Sequence, residues 1–388
     1  MPSNKNHFVE FPPHTQLKHL ILRSYLQTWV QKLVRNLPVN GRLWYVDAFA
    51  GAGQDDAGNP GSPSIALRCQ AEARAAGVSL RNYAKLALRC FETDAGNAGA
   101  LRTVVPPEVV THGELSDSMD LIDAAIGASP ALFFLDPFGF GLDGQVIQRC
   151  LTGDKREVLM LFNDVAGMRH LGSAAATARN ADSEIQSNVL PDLFTDFYEE
   201  AAASIRVKTE NRNASLEPSR VLAETRLTRA FGDESWRSHL SFRDNPERRQ
   251  ILLAHFMDQL KRWGATHVLS IPIRKPPDTH VYYLVHASKS AAAYRAMKES
   301  VNTALNKSAV GTDATNSILV ELCSDSSALL HLVEERFAGR ADVPIQELRE
   351  FLLGETVAYP QDVKNVKVHL KPRRTPGRQD RYDFAAAV

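Results

Sequence analysis

Two short loops carry residue types that can do chemistry. Asp47-Ala-Phe-Ala-Gly-Ala-Gly53 closes the apolar run that starts at Leu43, and Asp136-Pro137-Phe138-Gly139 closes the run Ala131 to Leu135. In the first loop, Gly51 and Gly53 let the backbone turn sharply and approach a ligand with no Cβ in the way. Phe49 lies between the glycines and Asp47, and the Asp47 carboxylate at the strand end suits a cationic group. Glu92 ends the apolar run Leu86 to Phe91, where an acid can accept hydrogen bonds from both ribose hydroxyls. Asp94 competes with it, and Glu114 and Asp117, past a third apolar run at Val109 to Thr111, are candidates to bracket an adenine. The set fits a nucleoside with a cationic tail, and S-adenosylmethionine is the cofactor expected. A nicotinamide cofactor calls for a third loop glycine where Asp56 stands. The plain alternative is a glycine turn that serves packing alone.

In the second loop the chemistry is the presentation of a planar amine. The exocyclic nitrogen of adenine, cytosine or guanine is a poor nucleophile because its lone pair is delocalised into the ring. Asp136 can accept one N–H, the Pro137 carbonyl another, and Phe138 can stack on the base, with Gly139 closing the turn. Positioning of the nitrogen in line with a methyl donor then does most of the work. An Asp-Pro turn that only caps the next helix is the bland equivalent. Asn163, with Arg169 and His170 after the fifth strand, is a candidate for the substrate mouth, although a capping Asn reads equally well there.

These loops need a scaffold that brings strand ends together. Leu17, Leu20, Ile21, Tyr25, Trp29, Leu33 and Val34 recur at helical spacing and predict a helix over residues 15–36. Strands are expected at Leu43 to Phe49, Leu86 to Phe91, Val109 to Thr111, Ala131 to Leu135 and Glu157 to Phe162, separated by helical segments. One of these runs from Pro63 to Ala76 with Ser62 as its N-cap. This alternation predicts an α/β, doubly wound, mostly parallel sheet, whose ligands bind at the carboxyl ends of its strands. Two closing strands at His267 to Ile273 and Val281 to Val285 bring the count to seven, the number of a Rossmann-like class I methyltransferase. The expected organisation is one domain over residues 1–308, with a helical insertion at about 166–245, and a second over 317–388. Three short helices and a basic hairpin make the second winged-helix-like.

Composition narrows the rest. The chain has 388 residues, enough for a large core, and 45 basic against 45 acidic side chains, so binding to nucleic acid must come from local patches. The best patch is the C-terminal stretch with Lys371, Arg373 and Arg374. A base inside a duplex would have to be flipped out, and such a patch could grip the backbone meanwhile. Four cysteines without Cys-x-x-Cys spacing argue against a zinc site, and no metal ligands are assigned. No apolar run reaches the roughly 20 residues of a membrane span, and the chain is expected to be cytoplasmic.

With these motifs in view, the chain resembles the three-Cys-motif partner protein family. The matching residues are Lys18 and Tyr25-Leu26, Tyr45-Val-Asp-Ala-Phe-Ala-Gly-Ala-Gly53, Gly61-Ser-Pro-Ser-Ile-Ala-Leu67, Phe91-Glu-Thr-Asp94 and Phe134-Leu-Asp-Pro-Phe-Gly139. The Gly-Ser-Pro element also accounts for the long gap between the glycine loop and Glu92. The resemblance implies a class I methyltransferase fold and a companion protein with a three-cysteine, radical-enzyme-like motif. The Asp-Pro-Phe-Gly loop is also similar to that of enzymes that methylate amino groups of nucleobases in RNA and DNA. Glu114 departs from the family's preference for Asp. Two expectations follow: an S-adenosylmethionine-dependent N-methyltransferase acting on a nucleobase in DNA or RNA, or a non-catalytic partner subunit with the same fold.

Overall fold

The computed structural model describes residues 10–34, 36–38, 40–75, 86–175, 221–242, 247–275, 279–309, 326–355, 360–370 and 381–384. The basic patch residues Lys371, Arg373 and Arg374, Cys323, and much of the insertion lie outside them.

The chain divides into two compact units: residues 1–136, 148–161 and 261–388 form one, and 137–147 with 162–260 form the other. Residues 261–388, which include the C-terminal segment, fall in the unit that holds the sheet. The first unit opens with α1 (Pro13–Val34), followed by β1 (Leu43–Asp47), α2 (Ser62–Ala75), β2 (Leu86–Glu92), α3 (Ala95–Val104), β3 (Val110–His112), α4 (Met119–Ile126) and β4 (Ala131–Leu135). The chain continues through α5 (Gly144–Cys150), β5 (Arg156–Phe162) and α6 (Asp164–Ala175). After the insertion come α7 (Arg248–Arg262), β6 (His267–Lys275), β7 (Thr279–Ser288) and α8 (Ala291–Ala309).

The strands form one sheet of seven in the order β3-β2-β1-β4-β5-β7-β6. β1 runs parallel to β2 and β4, β2 to β3, and β4 to β5, whereas β6 and β7 pair antiparallel. This is a Rossmann-like arrangement, with the reversal of strand order falling between β1 and β4. Every residue of β1, β4 and β5 is buried, as central parallel strands covered on both faces require. The alternation of apolar runs with helical segments thus resolved into the expected strands to within a few residues at each end.

α1 lies in the same core as the sheet through Leu17, Ile21, Leu22, Tyr25, Leu26, Trp29 and Val30, each worth about 1.5–3 kcal/mol when fully buried. It is also held by polar bonds. The buried Glu157 carboxylate of β5 accepts the Tyr25 hydroxyl and, at 3.0 Å, the Trp29 indole N–H, and one of its oxygens lies 3.0 Å from His286 Nε2 of β7. A buried acid in such a core is tolerated because its oxygens are so occupied.

After α8 the first unit ends in α9 (Ser326–Phe337), β8 (Val343–Pro344), α10 (Ile345–Glu355), α11 (Pro360–His369) and β9 (Arg381–Tyr382). β8 and β9 pair antiparallel. Leu329, Val333, Phe337, Leu348, Leu352, Val366 and Tyr382 make a small core of their own. Three helices and a two-stranded pair are present; residues 371–380, where the basic hairpin was expected, lie outside the described residues.

The second unit is built on aromatic packing. Phe162 stacks on Phe256 at 4.4 Å between centroids, and Phe140 meets Phe162 edge-on at 5.7 Å. Gly167 permits that approach, since a Cβ there would lie 2.9 Å from the Phe140 ring. Arg249 pairs with the buried Asp164 at 2.6 Å, and Arg229 with Asp143 at 2.9 Å. Among the described residues no helix is long and apolar enough to cross a membrane.

Candidate active site

The ends of β1, β2 and β4 meet side by side because the three strands are neighbours in register. Ala48 N–H, just past β1, donates to Phe134 O of β4 at 3.0 Å, and Ala50 N–H donates to Phe91 O of β2 at 3.0 Å. The glycine loop is therefore stitched between the two flanking strands before it turns away.

Asp47 is fully buried. Its carboxylate accepts the Tyr45 hydroxyl at 3.2 Å, the Phe49 N–H at 3.3 Å and the Ser62 hydroxyl. Burial pushes its pKa up to about 7. The nearby Asp136 charge adds to the push, and the three donors hold it back. Ser62 thus bonds to Asp47 across the loop, and it is the first residue of α2, not a cap before it. A carboxylate has about four lone-pair sites. Three are taken, which leaves one for a ligand cation.

Glu92 is at the edge of burial, 9% exposed. One oxygen accepts Gly51 N–H at 2.7 Å and the other Asp94 N–H at 2.8 Å. Each oxygen keeps a second acceptor site, so the acid ties down the glycine loop and still has capacity for two hydroxyls. Asp94, its competitor, caps α3 by accepting Asn97 N–H at 2.8 Å.

The two loop glycines have different jobs. Gly51 has φ +59° and a Cβ placed on it would meet nothing within 4 Å, so its face is open toward solvent or a ligand. Gly53 has φ +81° and its Cβ would lie 2.6 Å from Leu101 Cδ1 of α3. Its carbonyl accepts Gly61 N–H at 2.9 Å and the Ser64 hydroxyl at 2.6 Å. The close approach expected of Gly53 is therefore to α2 and α3. Phe49 is partly exposed beside Gly51. Glu114 and Asp117 are both exposed, and Ser116 Oγ donates to Glu114 at 3.2 Å.

Asp136 directly follows β4 and ends the first segment of the first unit. One of its oxygens is ion-paired with Lys18 Nζ of α1, itself buried at 5% exposure. The pairing was not foreseen, although Lys18 stands next to Leu17 on a face shared with Ile21, Leu22 and Tyr25, where a charge is out of place. Beside it, Tyr282 of β7 donates to His14 O at 3.2 Å, and its hydroxyl pKa is raised by burial and by the Asp136 charge. Pro137, Phe138 and Gly139 begin the second unit: Pro137 is buried, Phe138 is 68% exposed, and Gly139 turns with φ +68° in open space. Asn163, also in that unit, accepts Ala166 N–H at 2.9 Å, the capping role weighed for it.

Within the first unit the structure therefore brings together Asp47, Gly51, Glu92, Asp136 and Lys18. The set is acidic and rimmed by an open glycine. Compared with models of protein families and with curated proteins, the chain matches none of either. The site stands on its chemistry.

Among the described residues, no group of three or more His, Cys, Asp or Glu side chains is placed to hold a metal ion. Cys69, Cys90 and Cys150 are buried free thiols, and burial raises the pKa of each.

Proposed function

We propose that the protein is an S-adenosylmethionine-dependent methyltransferase that acts on an exocyclic amine of a nucleobase in DNA or RNA. The observation that carries the reading is the meeting of Asp47, Glu92 and Asp136 at three adjacent strand ends, on the side of a Rossmann-like sheet where ligands bind. The residues fit the cofactor's groups. Glu92 has two free acceptor sites for ribose hydroxyls, Gly51 offers a face without obstruction, and Asp47 keeps one acceptor site for a cation. Phe49, Gly53, Glu114 and Asp117 complete the set as wall, loop support and adenine rim.

The bound cofactor would supply an electrophilic methyl, which the amine nitrogen takes with its lone pair while the C–S bonding pair stays on sulfur and the surplus amine proton passes to water. The chain's own task is to place that nitrogen. Asp136 accepts one N–H, the Pro137 carbonyl accepts another, and the exposed Phe138 ring two residues along the chain offers a stacking face. Fixing the nitrogen in line lowers the barrier by pre-arranged geometry and not by acid–base chemistry. Gly139 and Asn163 are assigned to the substrate side, with Lys371, Arg373 and Arg374 as phosphate contacts.

The antiparallel β6–β7 pair beyond β5 supports assignment to the class I methyltransferase variant of the fold. The segment α9 to β9 is read as winged-helix-like, and a three-cysteine-motif companion protein is the proposed partner. Calorimetric titration with S-adenosylmethionine tests the core of this reading. Micromolar binding that Glu92→Ala weakens about tenfold or more is expected, and no binding by the wild type would leave the non-catalytic partner subunit as the better reading.

A further inference from the structure

We propose that Lys18 is a positioning residue that orients the Asp136 carboxylate to receive the substrate amine; this rests on the reading above and deepens it. A lysine is rarely buried unless paired, and Lys18 sits among Leu17, Ile21, Leu22 and Tyr25 with its ammonium on Asp136 Oδ2. Asp136 bears on Asp47 as a neighbouring negative charge. Two carboxylates stand close together, and the Lys18 ammonium is placed on the one at Asp136.

The first turns of α1 are anchored so that this cation stays in place. Phe11 N–H donates to Asp55 Oδ2 in the loop after β1 at 2.9 Å, and His14 O accepts Tyr282 Oη of β7 at 3.2 Å. Further along the helix, Tyr25 and Trp29 bond Glu157 of β5. With Oδ2 pinned from one side, Oδ1 is the oxygen left to take an amine N–H, and the carboxylate cannot rotate to follow a misplaced base. Lys18 thereby sets the aim of the nitrogen lone pair without touching the substrate.

The test uses the full chain with Lys18→Met and Lys18→Arg. S-adenosylmethionine affinity is measured by calorimetry, and transfer of a labelled methyl group is followed into total RNA and genomic DNA from a bacterial host lacking this protein. Lys18→Met is expected to bind the cofactor within threefold of wild type but to transfer methyl with a kcat at least 100-fold lower. Lys18→Arg should recover only in part, to a kcat several-fold but less than about tenfold below wild type, with KM unchanged. Equal turnover by wild type and Lys18→Met overturns the inference and leaves the methyltransferase reading standing. Parallel loss of cofactor affinity and turnover also overturns it, since that marks a structural role. Should Lys18→Met fail to fold, Lys18→Arg decides: a several-fold lower kcat at constant KM supports the inference, and wild-type kcat overturns it. A wild type that moves no methyl group into either nucleic acid sinks the reading and the inference together.

Discussion

Asp47 changes its charge near neutral pH, and two measurements follow from that. With the folded value near 7 against an ordinary 3.8, the native state keeps a proton that the unfolded chain gives up between those limits. Stability contributed at this site therefore falls as pH rises from about 4 to 7 and stays low above. Asp47→Asn should be more stable than wild type at pH 8, by about 1–3 kcal/mol, with the gap closing below pH 4, as denaturant titration across pH would show. On the proposed reading, the same group must be ionised to meet the cation of S-adenosylmethionine. Affinity for S-adenosylmethionine should rise about tenfold per pH unit up to pH 7 and flatten beyond; a flat profile from pH 5.5 to 8 would remove Asp47 from the cofactor site. The two glycines separate as well. Gly53→Ala drives a Cβ into Leu101 and should cost about 2–4 kcal/mol, whereas Gly51→Ala bears only the positive-φ penalty of about 1 kcal/mol, measured as the shift in midpoint of urea unfolding. At this scale the sequence pointed to the strand-end positions but not to what each of them packs against or bonds. A Gly-x-Gly spacing cannot say which glycine faces a helix and which faces open space, since that depends on where Leu101 of α3 comes to rest. Nor could it reveal that Asp94 caps α3, or that the partner of Asp136 comes from a helix 118 residues earlier.

Elements explain why the residues hold their places. β1, β2 and β4 were readable because uninterrupted apolar runs bounded by Gly, Pro or acids are what a doubly buried parallel strand demands. α1 was readable from its period, but its polar anchors were not. Tyr25 and Trp29 read as core aromatics, and their bonds to Glu157 depend on a register between a helix and two strands that no local pattern encodes. Glu157→Ala leaves the buried Trp29 N–H without its partner and the Tyr25 hydroxyl and His286 Nε2, 3.3 Å apart, with only each other, and should cost about 1–3 kcal/mol. Thermal unfolding checks this. Cofactor affinity of the folded fraction should stay within a few-fold of wild type, because Glu157 is near the start of β5, at the other end of the sheet from the strand tips.

At the scale of the whole molecule, the parallel sheet and the closing β6–β7 pair were legible from the rhythm of strands and helices. The grouping of the C-terminal segment with the sheet was not. That grouping depends on contacts such as the buried Lys298 of α8, whose Nζ donates to Leu353 O of α10 at 3.2 Å and lies 4.2 Å from the Tyr294 ring centroid. Burial lowers the Lys298 ammonium to about 7, against the opposing pull of Asp362 on α11. The unfolded chain keeps that proton up to about pH 10, so stability from this contact rises between pH 7 and 10. Lys298→Met should abolish the rise, as melting curves at pH 7 and 9.5 would report. In the proposed function, adjacent strand ends bring a methyl donor and a nucleobase amine together. Mass spectrometry of nucleosides from cells expressing the wild type or Asp136→Ala tests it most directly. An N-methylated base is expected with the wild type and lost with Asp136→Ala; the same nucleosides in both, or no new methylated base with either, would contradict the proposed function.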